Sequence, residues 1–297
     1  MPTLWAIATL TFGALYLVPG DPALVLLSES HATAAEIARR RAELGLDASL
    51  PEQYGRYLAR IVQGDLGTSL FTGRPVTAEI RQQLPATLQL AVAASAVAVT
   101  LGLAMGLLAA VNRGHWPDAV ITAAATVGIA TPVFWSGLLA MWLFALVLGW
   151  LPATGQGGLE YLVLPAGVLG ISSAGAIARV CRASLIEVMD RPYILAARAR
   201  GIWPRSLLMR HALRVALLPT VTVIGVQFGF LMGGAVVTET VFARQGLGRL
   251  VVEAILRKDL PLVLGTVLVG ATGYVLINLC TDILYGVLDP RVRDGGR

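Results

Sequence analysis

The stretch Pro192–Pro219, PYILAARARGIWPRSLLMRHALRVALLP, decides how the rest of the chain must be read. It is basic and helix-prone, and it lies between two apolar runs. Too charged for lipid, it belongs in water at one face of a membrane. The window from Arg179 to Arg214 holds eight arginines against only two acids, Glu187 and Asp190. A short loop with that excess lies on the cytoplasmic side. Pro192 suits a first helical turn, where its missing N–H would have no partner anyway, and Gly201 suits the position just past a helix end. A short helix of about nine residues is expected between them. Ala196, Ala197 and Ala199 keep its middle small, so another protein surface can approach the backbone closely. Small in the middle and cationic at its edges, the segment reads as a docking peg.

The bulk composition supports a membrane as the main solvent. Hydrophobic residues make up 56% of the 297 and charged residues 14%, with mean hydropathy +0.72. Soluble domains carry about a quarter charged residues. The net charge of +5 comes from arginines beside apolar runs, where topology accounts for them better than nucleic acid does. Cys181 and Cys280 have neither metal-like spacing nor a disulfide framework. The single lysine, Lys258 in RKDLP, rules out a phosphate-binding GxxxxGK[ST] loop in this chain. No HExxH, CxxC or GxSxG occurs, and His31, His115 and His211 are far apart. The chain is therefore expected to be non-catalytic, with no cofactor or metal of its own.

From the N-terminus, Pro2–Val18 carries no charge and is read as the first span. A cleaved signal peptide would need a charged n-region, yet no Lys or Arg precedes Arg39. Pro19-Gly20-Asp21-Pro22 then breaks the helix. The soluble-looking residues that follow contain two helical patterns, AAEIARRRAELG and PEQYGRYLARIV, and a turn-rich GDLGTSLFTGRPV. They are expected to form a small extracytoplasmic cap over residues 19–85. The Arg39-Arg40-Arg41 run reads as a solvated helix face.

Thr87–Val111 is the second span, and Arg113 with His115 marks a short cytoplasmic turn. From Ala119 to Leu159 the chain is uncharged for 41 residues. Its strongly apolar part, to Leu151, is too long for one straight crossing, so it must tilt, break or emerge. Pro132 removes an intrahelical hydrogen bond, and a kink is expected at Thr131-Pro132. Folding back there into two crossings would put the arginine-rich loop outside, which the charge pattern rejects. Tyr161–Ala178, rich in Gly and Ser for close helix packing, is the fourth span. Val215–Thr238 is the fifth and Leu260–Thr281 the sixth. Glu239–Asp259 between them reads as an outer connection, with GLGRL turning into a helix. Asp282, near the inner end of the last span, suggests capping or an arginine partner, and Arg291, Arg293 and Arg297 hold the C-terminus inside. Thr131, Pro132, Gln227 and Asn278 are the candidates for lining a path, because broken helices and intramembrane polar groups often mark one.

Tyr193, Ala196, Ala197 and Gly201 match the cytoplasmic EAA loop of the permease subunits of binding-protein-dependent ABC importers, and the chain resembles that family. The loop there is a coupling helix seated in the ATPase. The resemblance thus implies ATPase contacts at Tyr193, Ala196, Ala197, Arg198, Arg200, Gly201 and Arg205, within a loop spanning 182–214. AARARG followed by RHALR, then LPTVTVIGVQFGFLMGGAVVTETVF, GLGRLVVEAI and LDPRVR, resembles the first permease of dipeptide and oligopeptide importers. Its close relatives also carry haem, nickel chelates or glutathione. The likeness runs from about Leu17 to the C-terminus. Two departures stand out. His211-Ala212-Leu213-Arg214 replaces the Ile-x-Leu-Pro of the wider superfamily, as in the peptide subgroup. Pro192 stands where relatives usually carry an acid before the tyrosine, so the polar ATPase contact of that acid is not carried over to this chain. Relatives also begin with a basic stretch ahead of the first helix, so the start is expected to be truncated.

Together these readings predict an all-α, multi-pass membrane protein of a prokaryotic inner membrane, with six spans and both termini cytoplasmic. Residues 1–18 would be helix one, 19–85 the cap, and 86–297 the permease domain. The resemblance implies a second homologous permease, two ABC ATPases holding ATP and Mg, and an extracytoplasmic substrate-binding protein. A secondary transporter is the rival class. It would need an internal repeat and intramembrane ionisable groups, and neither is found.

Overall fold

The computed structural model describes residues 2–17, 34–43 and 47–288. Pro19–Pro22, His31, Asp282's side chain and the arginines after 288 lie outside that description. The described residues are helical, with one isolated antiparallel bridge, Thr68 to Pro75, and no strand. The helices are α1 (Pro2–Leu17), α2 (Ala34–Glu43), α3 (Leu50–Val62), α4 (Val76–Val111), α5 (Trp116–Ala130) and α6 (Val133–Ala140). They continue with α7 (Glu160–Met189), α8 (Pro192–Ala199), α9 (Leu213–Val241), α10 (Leu247–Leu256) and α11 (Leu260–Leu288). Wide π-helical turns extend α6 through Met141–Val147 and lead into α9 through Leu207–Ala212.

Among the described residues, four helical runs are long and apolar enough to cross a membrane: Val76–Val111, Glu160–Met189, Pro204–Val241 and Leu260–Cys280. The chain is an integral membrane protein. α5 and α6 satisfy the same test only as a pair, bent by 105°. The apolar part of α1, Thr3–Gly13, is shorter than a full crossing. The kink expected at Thr131-Pro132 is therefore a break between two helices. Its cause is local: a residue before proline is driven out of the α region. Thr131 is accordingly extended, with ψ 125°, and Pro132 starts α6 with φ −60°.

Two further boundaries differ from expectation. α4 begins at Val76, well before Thr87, because Val76 N–H donates to the Gly67 carbonyl at 3.0 Å and the loop before it closes on itself. α7 runs on to Met189, past Ala178. It keeps Arg179 and Arg182 on helix, and Asp118 neutralises Arg182 through two contacts of 2.6 Å.

By packing the chain divides into two compact units. One comprises residues to Ala86 together with Gln245–Gly273. Its core joins Val76 and Ile80 of α4, Leu247 and Ala254 of α10, and Leu262 and Val263 of α11. A buried acid organises its loop. Asp259 accepts from Ser69 Oγ at 2.5 Å and from Leu70 N–H at 3.1 Å, while its other oxygen caps α11 through Leu262 N–H at 3.3 Å.

The second unit comprises Thr87–Arg244 and the residues from Tyr274 on. Leu90 and Ala94 of α4, Ala166 and Leu169 of α7, and Leu231 and Ala235 of α9 form one core. Helices approach through glycine. A Cβ added to Gly102 would stand 2.7 Å from Ile177 Cβ, and one on Gly106 would stand 2.6 Å from Cys181 Cβ. Gly102 and Gly106 are four residues apart, a small-xxx-small face that lets α4 lie against α7. Many apolar side chains on the outward faces, among them Val92, Val127 and Phe230, are exposed, as lipid-facing positions require.

Candidate coupling surface and path residues

α8 is a two-turn helix set by its ends. Arg191 is extended before it, and Pro192 occupies the first turn. At the far end Gly201 N–H donates to the Arg198 carbonyl at 3.0 Å, and Ile202 N–H donates to the Ala197 carbonyl at 3.3 Å. This crossed pair of bonds is the Schellman arrangement, and it puts the residue after the cap in the left-handed region. Gly201 has φ 78° there, as the sequence implies.

One side chain anchors the helix. Ile194 is fully buried against Leu185 and Val188 of α7 and against Leu207, Ala212 and Ala216 leading into α9. Its neighbours point away. Tyr193, Leu195 and Ala196 are exposed, Ala197 is half-buried, and Arg198, Arg200, Arg205 and Trp203 are exposed. The exposed apolar side chains on this surface, Tyr193, Leu195 and Trp203, give it the character of an interaction site. The seven residues singled out for coupling thus fall on one short stretch, with Gly201 as its bend.

Ion pairs steady the ground beneath it. Arg191 donates to Glu187 at 2.8 Å, and that contact raises the already high pKa of its guanidinium. Arg113 reaches Asp190 at 2.8 Å. Asp118 takes both Arg182 contacts and also the Gly114 N–H at 3.2 Å. The Arg113–His115 turn is thereby tied to the end of α7. Sequence reading marked that turn but not its partners.

The path candidates are only partly brought together. Thr131 and Pro132 line an open hollow of about 410 Å³ with Val127, Ala130, Phe134 and Trp135. Thr131 Oγ1 donates to the Val127 carbonyl at 2.7 Å, which satisfies its hydroxyl within the helix. Gln227 on α9 and Asn278 on α11 are half-buried and do not line this hollow.

A polar cluster escaped the sequence reading. Glu239, in the last turn of α9, is fully buried and accepts from Thr87 Oγ1 at 2.6 Å. Arg244 is 2% exposed and donates to Gln89 Oε1 at 3.2 Å, and its backbone N–H reaches the Glu239 carbonyl at 2.8 Å. Burial pushes the Arg244 guanidinium below its usual pKa, and the Glu239 charge opposes that shift. The available signal was a carboxylate and an arginine five residues apart across a helix end, with Thr87 and Gln89 as the polar members of an apolar run. Among the described residues no group of three or more His, Cys, Asp or Glu side chains is placed to hold a metal.

Comparison with known proteins follows the same lines. The profile of the binding-protein-dependent transport system inner membrane component matches residues 102–294, and that of the N-terminal region of such components matches residues 1–91. A glutathione transport system permease protein of Pectobacterium atrosepticum is 42% identical over 293 residues, covering 99% of this chain and 95% of the relative. A putative peptide transport system permease protein of Brucella abortus is 42% identical over 301 residues, covering 99% and 96%. Among solved structures, a methionine ABC transporter in an inward-facing conformation superposes with TM-score 0.61 at 21% identity, over 71% of this chain and 96% of the other. An amino acid ABC transporter superposes with TM-score 0.55 at 18% identity, over 72% and 94%.

Proposed function

The chain belongs to the family of binding-protein-dependent transport system inner membrane components, and from that premise we propose how it works. It is the permease subunit of an ABC importer for dipeptides or oligopeptides. It forms half of a path whose other half is a second, homologous permease. Six crossings place both termini and α8 in the cytoplasm, with the short α1 and the broken α5–α6 pair each counted as one. α2, α3 and the loop before Val76 form the extracytoplasmic cap that meets a substrate-binding protein.

Energy enters through α8. Two ATPases, which would hold ATP and Mg, dock beneath the permeases and move as ATP is turned over. Tyr193, Ala196, Ala197, Arg198, Arg200, Gly201 and Arg205 form the contact that follows them. Because Ile194 is locked into the ends of α7 and α9, movement of α8 is passed to those helices as a rigid-body shift. This one-residue anchor beneath an exposed apolar surface is the observation that carries the reading. Thr131 and Pro132 at the break, with Gln227 and Asn278, are assigned to the path.

The second reading concerns cargo. Glutathione is itself a tripeptide, and the relative from Pectobacterium atrosepticum is named for it, so the same machinery would suit it. Haem or a nickel chelate would ask for different receptor chemistry. Calorimetry on the partner binding protein decides among them. The function is tested by reconstituting the chain with its partner permease, ATPases and loaded receptor in liposomes. Uptake that requires ATP supports the assignment. Uptake driven by an ion gradient without ATP would make the chain a secondary transporter and overturn it.

A further inference from the structure

The turn that closes α9, at the end of the helix away from α8, is held in an unfavourable state. Arg244 is 2% exposed, yet among the described residues its guanidinium makes one hydrogen bond, to Gln89 Oε1 at 3.2 Å, and its buried Nε has no partner. Buried arginines are ordinarily paired with an acid. Gln89 is neutral and itself exposed, so the acceptor that Arg244 has stands at the surface.

The backbone beside it is strained as well. Arg244 N–H donates to the Glu239 carbonyl at 2.8 Å and Ala243 N–H to the Thr240 carbonyl at 3.3 Å, the same crossed pair that closes α8. At Gly201 a glycine takes the left-handed position; here an alanine takes it, with φ 50°. An L side chain leaves that conformation about fivefold to thirtyfold less populated than a glycine would. The surroundings hold it in place. Phe242 is buried against Leu164 and Val168 of α7, its carbonyl accepts from Gly155 N–H at 3.0 Å, and Glu239 takes the Thr87 hydroxyl. Strain that neighbouring contacts impose on one turn is the mark of a switch region.

We infer that Phe242–Arg244 is a latch, closed in this structure, which opens when the permease changes conformation and swings Arg244 past Gln89 into water. α9 joins this turn to the coupling segment, since Ala216 near the start of α9 packs with Ile194. A shift of α9 driven from α8 therefore acts on the contacts with Thr87 and α7 that hold the turn shut. Release of the strained alanine and hydration of the guanidinium favour the open form, and the packing of Phe242 and Glu239 favours the closed one. That balance lets the movement of one helix choose between them.

The inference deepens the ATP-driven permease reading and rests on it. The chain is reconstituted with its partner permease, ATPases and loaded receptor, and the initial rate of uptake is measured beside thermal unfolding in detergent. Ala243→Gly relieves the backbone, and Arg244→Met removes the buried charge while keeping an unbranched apolar stem, so both favour the closed form. Each should leave the unfolding temperature at or above that of the native chain while slowing uptake, by about fivefold for Ala243→Gly. Gln89→Ala takes away the acceptor of the closed form and should do the reverse, lowering the unfolding temperature with uptake no slower than native. A turn that only holds the fold together would move stability and uptake in the same direction, and that result in any of the three variants would overturn the inference. So would native uptake rates in both Ala243→Gly and Arg244→Met. Uptake by the native chain that needs no ATP would instead refute the permease reading, a result that none of these substitutions can produce.

Discussion

Substituting Gly201 separates backbone geometry from contact at the coupling segment. The residue has φ 78°, yet a Cβ built there meets nothing within 4 Å. Steric clash therefore cannot explain any defect, and the cost lies in the left-handed conformation itself. That conformation costs an ordinary L residue about 1–2 kcal/mol, with Asn cheaper and β-branched residues worst. One to two kcal/mol lowers the ratio of correctly bent to unbent segment by about fivefold to thirtyfold. The crossed bonds from Gly201 and Ile202 are strained with it. Coupled uptake per ATP hydrolysed, measured in liposomes and normalised to protein amount, should fall in the order Gly, Asn, Ala, Val. Asn should stay near the native chain and Gly201→Val should lose most transport while the complex still assembles. A Val variant with native uptake would refute the reasoning. So would an Asn variant as poor as Val, because the defect would then come from a side chain at the contact surface.

Three other substitutions test the frame. Gly106→Leu puts a side chain where Cys181 Cβ and the Ala178 carbonyl stand 2.6 and 2.8 Å from an ideal Cβ, so α4 and α7 must part. Thermal unfolding in detergent should show destabilisation of at least about 1–3 kcal/mol, the ordinary cost of overpacking. Asp259→Ala strips the cap from α11 and leaves the buried Ser69 hydroxyl and Leu70 N–H without their acceptor. A loss of about 2–4 kcal/mol is expected, with Asp259→Asn milder, and unchanged thermal stability would contradict the arrangement. Tyr57 in α3 has its pKa pushed up to about 12 by burial, with Tyr54 adding to it. A folded value above the unfolded one means that its stabilisation is complete below about pH 10 and is lost as pH rises toward 12. Tyr57→Phe should remove that alkaline loss. At neutral pH it should cost nothing or stabilise slightly, since the hydroxyl has no partner among the described residues. Ultraviolet titration of the phenolates and thermal unfolding across that range check both statements.

The peg at Pro192–Gly201 was legible because its ends are punctuated. A proline at the start and a glycine at the end are local signals, and the structure obeys both. The break at Thr131-Pro132 was half legible. Proline announces the place, but its angle of 105° depends on what packs on either side. α6 and its π extension lie against Leu164, Val168 and Phe242, distant in sequence. The Glu239 and Asp259 networks were illegible for the same reason. Thr87 and Ser69 are ordinary polar residues until the fold sets each against a buried acid more than a hundred positions away. The start of α4 at Val76 was hidden because its first turns carry Glu79 and Arg81, which resemble a solvated loop. In the structure Glu79 is 7% exposed and takes the Thr72 hydroxyl.

The wide turn at Leu207–Ala212 sets how the peg and the helix after it are phased. A π turn carries an additional residue within an otherwise α-helical run. Losing one residue there lets the turn tighten to ordinary α-helix and leaves the faces of α9 oriented as before. Losing one residue a few positions later, inside α9 itself, swings everything downstream by about 100°. Loss of one residue is therefore expected to be absorbed between peg and helix and not within the helix, with the wide turn at Leu207–Ala212 keeping the two in step.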